Sequence, residues 1–248
     1  MLHRFDILSI FPHFFDSYLS ESLVEKALAR KIFEVKVHDL RTWAHDKHKR
    51  VDDLPFGGGP GMVFRPEPLT ESIREIRQNY KKGKVIYLSC RGALFNQQKA
   101  KSLLEECEEI LLVCGRYEGI DQRVIESEID EEISVGDFIL AGGEVPALVV
   151  MDALIRLIPG VIGKAASLEE ESIEWGLLEY PHYTRPESFQ GKEVPKVLLS
   201  GNHAEIRRWR LEKALELTLQ RRPELLEKAD FPKEIRAEIE KMRLKKSK

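Results

Sequence analysis

Glycine is concentrated where this chain could do chemistry. Between Val51 and Phe64 it reads VDDLPFGGGPGMVF, with Gly57, Gly58, Gly59, Pro60 and Gly61 in an unbroken run. Three more clusters are CGRYEGID (Cys114–Asp121), SVGDFILAGGE (Ser134–Glu144) and IYLSCRG (Ile86–Gly92). Each follows an extended apolar stretch, and ligands of open α/β sheets bind outside the carboxyl ends of the strands. Bare backbone at such corners offers N–H and C=O groups that can read an adenine or a ribose without charged side chains. None of these loops contains a lysine to hold a triphosphate. The expected ligand is a nucleoside-like cofactor with little or no phosphate. Ordinary βα turns are the plainer reading, and three corners in succession count against it.

The Gly57–Gly61 run is a different object. A Walker loop would close with Gly-Lys-Ser or Gly-Lys-Thr, and here Met62, Val63 and Phe64 follow. The spacing of Gly57 and Gly59 does not continue to a glycine at 62, so a dinucleotide fingerprint fails as well. A surface turn needs one or two glycines. Four with a proline carry a large entropic cost and suggest close approach to something flat or bulky.

Other side chains invite chemistry singly. HYTRP holds His182, Tyr183, Thr184 and Arg185, and a histidine titrates near neutrality. Glu169, Glu170 and Glu171 are adjacent, which by residue type alone reads as a solvated linker. Arg207, Arg208 and Arg210 flank Trp209 near a helix start. Such arginines can contact phosphates in a salt-dependent way, or form the basic side of a helix whose tryptophan faces a core. Both can hold at once. No His/Cys/Asp cluster has the spacing of a tight protein-held metal site.

The elements that must position these residues alternate. FDILSI, IFEVKVHDL, KVIYLSC, EILLVCG and EEISVGDFIL read as strands. FDSYLSESLVEKALAR reads as an amphipathic helix with Phe15, Leu19, Leu23 and Ala27 on one face. Pro66–Tyr80, Asn96–Cys107 and Gly119–Ile129 read as further helices, and EVPALVVMDALIRLI as a buried one. This is the pattern of a parallel sheet covered on both faces. After Pro159 the character changes. GKAASLEEESIEWG lacks periodicity and reads as a linker, and beyond it come two helical stretches, AEIRRWRLEKALELTLQRR and PKEIRAEIEKMRLKK, with no convincing strand. The division expected is residues 1–162, a linker at 163–172, and a small helical domain at 173–248. Residues 1–172 hold 22 Lys+Arg against 29 Asp+Glu, and the remainder 17 against 13. A basic C-terminal part on an acidic body suggests a localised anionic partner, with nucleic acid the leading class. Hydrophobic residues make up 42% and charged residues 33% of the 248, which is ample for a packed soluble core. Cys90, Cys107 and Cys114 form no CxxC pair and fit a reducing, cytoplasmic setting. The first ten residues lack the apolar region of a signal peptide, and no run approaches a membrane span.

The set DDLPFGGGPGM, YLSCRG, CGRYEGID followed by Gln122 and Arg123, SVGDFILAGGE, RLIPGVIG and LLEYPHYTRP resembles the bacterial tRNA (guanine-N1)-methyltransferases of the TrmD type. The resemblance runs from the N-terminus to about Arg222. It implies a SPOUT-type α/β fold with a deep trefoil knot, whereas the general rule against threaded loops predicts an open sheet. It implies an obligate homodimer with active sites built from both chains, and S-adenosylmethionine as methyl donor. The implied reaction places the methyl group on N1 of guanosine 37, immediately 3′ of the tRNA anticodon. The cofactor residues implied are Tyr87, Leu88, Gly115, Tyr117, Glu118, Gly119, Ile120, Ser134, Val135, Gly136, Asp137, Phe138, Ile139, Leu140, Gly142 and Gly143. Cys90 stands where the family usually has proline, so the adenine-side wall is expected to differ slightly.

The resemblance gives the Gly57–Gly61 loop a role: it lets the target guanine lie against backbone near the donor. Extruding that base costs a few kcal/mol. N1 of guanine carries a proton that must leave. A positioned carboxylate can take it, typically worth ~10²–10⁴-fold in rate, and a cation or N–H aimed at O6 stabilises the resulting charge. The implied base is Glu171, one methylene longer than the family's aspartate, with Glu170 in its place if the register slips. Arg156 is the implied charge-stabilising group, and Glu179 a secondary acidic position. His182, Tyr183, Arg185, Arg207 and Arg208 are expected to position tRNA. Magnesium is expected, if used, through RNA or substrate. Two other functions compete: a non-catalytic RNA-binding protein on the same scaffold, and an enzyme acting on ribose or ribosomal RNA. Neither requires both the glycine loop and a linker carboxylate.

Overall fold

The structure is a computed structural model and describes residues 3–162 and 176–228, with Phe231, Ile235, Arg236 and Ile239. The chain divides into two compact units, Met1–Gly163 and Lys164–Lys248.

In the first unit the strands are β1 (His3–Ser9), β2 (Phe33–Asp39), β3 (Asp52–Asp53), β4 (Val63–Phe64), β5 (Gly83–Leu94), β6 (Glu109–Cys114) and β7 (Glu131–Ser134). The helices are α1 (Asp16–Leu19), α2 (Ser22–Ala29), α3 (Pro66–Arg77), α4 (Gln97–Glu106), α5 (Gln122–Glu128) and α6 (Glu144–Ile155). Five strands form one sheet in the order β2-β1-β6-β5-β7, and every pairing in it is parallel. β3 and β4 form a small antiparallel hairpin that carries the glycine run.

Side chains of period two sort the strands onto two faces. Phe5, Ile7, Ile86, Leu88, Ile110 and Leu112 share a buried cluster with Val24 and Ala27 of α2, Ala100 and Leu103 of α4, and Ala147, Val150, Met151 and Leu154 of α6. Leu8, Val85, Tyr87, Leu111 and Val113 pack on the other side with Leu69 and Ile73 of α3 and Val124 of α5. Each such Leu, Ile or Val contributes about 1.5–3 kcal/mol when fully buried. The continuous apolar runs in the sequence follow from this double coverage.

Three local expectations change. The helix predicted over Phe15–Arg30 is broken. A 3₁₀ turn at Pro12–Phe15 precedes α1, and Ser22 takes a φ of 57° before α2 continues. The break rotates the face, so Val24 and Ala27 are buried and Leu23 is 50% exposed. β5 does not end at Cys90 but runs to Leu94, with its pairing to β7 shifted between Leu88 and Ala93. The extended stretch predicted through Leu140 stops at Ser134, because Gly136 turns the chain at a φ of 153°.

The second unit has its own core of Leu177, Ala214, Leu215, Leu226, Phe231 and Ile239. Its long helix, His203–Arg221, starts at Asn202, whose side chain accepts from the Ala204 and Glu205 N–H groups. Buried Thr218 accepts from the Leu178 N–H at 2.8 Å, fixing the segment that contains Leu178 to that helix. The unit is not purely helical. Ser188–Phe189 and Lys192–Glu193 pair as a hairpin, closed by Gln190 and Gly191 at φ 51° and 75°, the geometry that suits a two-residue turn. Most of the second predicted helix, from Pro232, lies outside the described residues, as does the linker.

Within the sheet one carboxylate is fully buried. Asp6 is 0% exposed. His38 Nε2 donates to it at 2.6 Å, the Arg4 guanidinium at 2.9 Å and the Tyr80 hydroxyl at 2.8 Å. Burial pushes its pKa up, and these three hydrogen bonds outweigh burial and hold it below the ordinary value. A depressed carboxylate pKa stabilises the fold at pH above the unfolded value near 4 and loses that contribution as pH falls through the folded value. Asp6→Asn is therefore expected to lower unfolding free energy by at least about 2 kcal/mol at pH 7. In urea titrations the wild-type advantage should shrink steadily below pH 4. An equal stability at pH 7 would contradict the role of this charge.

Candidate active site

The corners of β5, β6 and β7 meet in one cavity of about 400 Å³ in the first unit. Its lining contains Tyr87 and Leu88 of β5. It also contains Gly115, Tyr117, Glu118, Gly119 and Ile120 after β6, and Ser134, Val135, Gly136, Phe138, Ile139, Leu140, Gly142 and Gly143 between β7 and α6. Asp137 is exposed and is not part of the lining. The Phe138 N–H donates to the Gly136 C=O at 3.0 Å, a three-residue turn that places Asp137 at its apex. Of the cofactor residues expected from the sequence, Asp137 alone falls outside.

The cavity exists because certain side chains are absent. A Cβ at Gly115 would lie 2.8 Å from the Tyr87 ring and hydroxyl. One at Gly143 would lie 2.7 Å from the Cys114 Cα, where the Gly143 N–H donates to the Gly115 C=O at 2.8 Å. One at Gly92 would lie 2.4 Å from the Glu132 carbonyl carbon. Sequence reading placed a strand end at IYLSCRG. The structure instead has an irregularity inside β5, which brings Ser89, Cys90 and Arg91 to the cavity.

Two arginines line the cavity that sequence reading did not select, Arg91 and Arg116. Neither is an open phosphate contact. Arg91 pairs with Glu132 at 3.3 Å, and Arg116 Nε with Glu144 at 3.0 Å. Glu118 adds a carboxylate to the lining. Burial, and next the negative charge of Glu132, raise the Tyr87 phenol above its ordinary value, so it stays a neutral donor. Ile125, Ile133, Ala141 and Pro146 complete the wall. The signal for Arg116 was its place between two selected residues. The signal for Arg91 was its place in IYLSCRG beside Gly92, since a glycine inside a strand pattern marks an irregularity.

The glycine hairpin is joined to this cavity by backbone hydrogen bonds. The Glu118 N–H donates to the Met62 C=O at 3.0 Å, the Phe64 N–H to the Gly119 C=O at 3.0 Å, and the Asp121 N–H to the Phe64 C=O at 3.1 Å. Gly57, Gly58, Gly59 and Gly61 have φ of 87°, 76°, 116° and 89°. At the first three an added Cβ would meet nothing within 4 Å. At Gly61 it would lie 2.3 Å from Glu118 Oε1. Gly57–Pro60 are exposed at the tip and do not line the cavity.

The remaining predicted residues lie elsewhere. Arg156 follows α6 and its N–H donates to the Asp152 C=O. The cavity is at the opposite, Gly143 end of that 12-residue helix, about 18 Å away. Glu171 lies outside the described residues. In the second unit Glu179 pairs with His182 Nε2 at 2.9 Å. The His182 ring is 4.8 Å from that of Tyr180, over which the Arg210 guanidinium sits at 4.8 Å. Tyr183 meets Trp209 at 6.3 Å. Arg185, Arg207 and Arg208 are exposed. Among the described residues no group of three His, Cys, Asp or Glu is arranged to hold a metal ion, and no helix is long and apolar enough to cross a membrane.

A family model described as tRNA (Guanine-1)-methyltransferase TrmD matches residues 3–228. A protein of Geobacter metallireducens named tRNA (guanine-N(1)-)-methyltransferase is 49% identical over 226 residues, covering 91% of this chain and 92% of its own. Relatives of the same name from Dictyoglomus turgidum and Clostridioides difficile are 49% and 47% identical, covering 93% and 92% of this chain. A cavity walled by the family's glycine corners, and a match over nearly the whole chain, lead to one conclusion: the chain belongs to the TrmD tRNA (guanine-1)-methyltransferase family.

Proposed function

We propose that the protein transfers a methyl group from S-adenosylmethionine to N1 of guanosine 37 of tRNA, giving 1-methylguanosine. The observation that carries this reading is the hydrogen bonding of the glycine hairpin to the cavity loop through Met62, Phe64, Glu118, Gly119 and Asp121. A backbone surface able to take a flat base adjoins a cavity of nucleoside-cofactor size. Ligand pockets run about 300–1,000 Å³, and this one is about 400 Å³.

The residues present fit the donor. Gly115 leaves a cradle that any Cβ would fill, and Arg91 and Arg116 are both neutralised in place. Tyr87, Leu88, the Gly115–Ile120 loop and the Ser134–Gly143 segment would hold it. When bound, S-adenosylmethionine supplies a methyl group already activated by a sulfonium leaving group. The protein's task is then to prepare the nucleophile. In this reading Glu171 takes the N1 proton, Arg156 stabilises the charge that spreads to O6, and Glu179 helps hold the RNA side. His182, Tyr183, Arg185, Arg207 and Arg208 contact the tRNA.

The reading includes a homodimer. An arginine side chain cannot span the length of α6 to its own chain's cavity, which supports an active site that takes Arg156 from a second copy. Val145 and Val149 on α6, and Phe11 and Phe14, are each more than 40% exposed, an apolar surface that a second copy would cover. The same reading takes residues 1–162 as a knotted catalytic domain, 163–172 as a linker and 173–248 as a tRNA-binding domain, in the cytoplasm.

Labelled S-adenosylmethionine in single turnover, on transcripts with guanosine or adenosine 3′ of the anticodon, tests the substrate. Transfer to the first alone, mapped to N1, is expected. Binding of both donor and tRNA with no transfer to either would instead favour an RNA-binding protein or a different RNA. Glu171→Gln is expected to retain donor binding and lose ~10²–10⁴-fold in turnover. Full activity there with Glu170→Gln inactive would move the base by one residue. Gly61→Ala should lose at least several-fold in kcat/KM, since it combines left-handed strain of about 1–2 kcal/mol with displacement of the Glu118 side chain from its place in the cavity wall. Gly58→Ala, strained but unobstructed, should lose less. The reverse order would refute the close-contact account of Gly61.

A further inference from the structure

We propose that Glu144 is a positioning residue whose buried carboxylate holds Arg116 and thereby sets the shape of the donor cavity. This rests on reading that cavity as the donor site. Glu144 is the first residue of α6 and is 1% exposed. It does not line the cavity, while Arg116, Gly142 and Gly143 do.

Both carboxylate oxygens are engaged. Oε1 accepts from the Ser9 hydroxyl at 2.7 Å and Oε2 from Arg116 Nε at 3.0 Å. The Ser9 oxygen in turn accepts from the Phe11 N–H at 2.9 Å, and the Arg116 guanidinium sits 4.6 Å from the centre of the Phe11 ring. Arg116 is thus held by an ion pair on one side and an aromatic face on another. Its backbone forms an antiparallel bridge with Gly142. A Cβ at Gly142 would lie 2.5 Å from Arg116 Nε and 2.7 Å from Glu144 Oε2. The missing side chain at Gly142 makes the room in which this pair forms.

The arrangement joins two cavity segments, 115–119 and 140–143, to each other and to the end of β1. A buried carboxylate is costly unless paired, and an apolar side chain of similar volume usually serves packing as well or better. A charge kept beneath the corner of a ligand cavity is better accounted for by orientation of the group above it, since sites hold their geometry through supporting side chains.

The test is a double-mutant cycle read by S-adenosylmethionine calorimetry, with tRNA KM and thermal midpoint measured beside it. Glu144→Gln keeps the shape and weakens the hold on Arg116. It is expected to weaken donor binding about tenfold, within the range of coupling between contacting residues, with tRNA KM within about twofold of wild type on the same scale. Arg116→Lys keeps the charge but loses the Nε geometry. If Glu144 acts through Arg116, the double variant binds donor no worse than Arg116→Lys alone. Wild-type affinity in Glu144→Gln, or additive losses in the double variant, would overturn the proposal. Should Glu144→Gln fail to fold, Glu144→Asp, which keeps the charge but is one methylene shorter, takes its place in the cycle with the same outcomes decisive. A wild-type protein that does not bind S-adenosylmethionine would defeat the donor-site reading itself; binding by wild type with unaffected variants would defeat only this inference.

Discussion

Where a Cα must face another stretch of backbone too closely to leave room for a Cβ, only glycine fits, and the first unit depends on that constraint. Gly143 lies against Cys114 and Gly115, and Gly92 against Glu132. These contacts draw the ends of β5, β6 and β7 to one place. They leave the space that becomes the cavity and turn the chain into α6. A methyl group at Gly143 would have to displace the backbone of β6, which is buried on both faces of the sheet and has nowhere to move. The glycines are therefore conditions of the fold near the site, and the site inherits its dimensions from them.

The charges around the cavity follow from the same crowding. Arg91 and Arg116 enter the lining but are matched by Glu132 and Glu144 in place. The wall is polar and nearly neutral, suited to a nucleoside with little phosphate. In the other unit Arg207 and Arg208 are exposed, and no ion pair engages them among the described residues. Recognition of a polyanion and recognition of a nearly neutral cofactor make opposite electrostatic demands. In the proposed reading, different segments of the chain meet them.

Much of this was legible in the sequence, for identifiable reasons. Double-sided burial of a parallel sheet makes apolar runs such as EILLVCG, and β1, β2, β5, β6 and β7 could be read from them. The cavity segments could be read because glycine is conspicuous and because the motifs resemble a family. What escaped was set by tertiary geometry. The kink at Ser22 leaves no composition signal, so Leu23 was placed on the wrong face, and the glycine of IYLSCRG was read as a strand end where β5 has an irregularity and continues, so Arg91 was not selected. Asp137 sits between two lining residues, and only the turn at Gly136 excludes it. The Asp6 cluster joins residues 74 positions apart in the chain, a distance over which no periodicity argument reaches. Arg156 could be matched to a motif, but its separation from the cavity is a property of α6's direction and length.

The glycine run shows how one residue type can answer two separate constraints within five positions. At Gly57, Gly58 and Gly59 there is room for a side chain, and the left-handed φ alone calls for glycine. A single substitution there would strain the backbone without a collision. At Gly61 the same backbone requirement coincides with the carboxylate of Glu118, so conformation and contact act together. The result is a hairpin whose tip is bare backbone and whose base is fixed to the cavity rim by the hydrogen bonds of Met62 and Phe64. Ordering so many glycines carries a large entropic cost, and a side chain at Gly57, Gly58 or Gly59 would find nothing within 4 Å to pack against. That cost is sensible only if the bare surface is used by something outside the chain, which is the place the proposed reaction gives to the guanine.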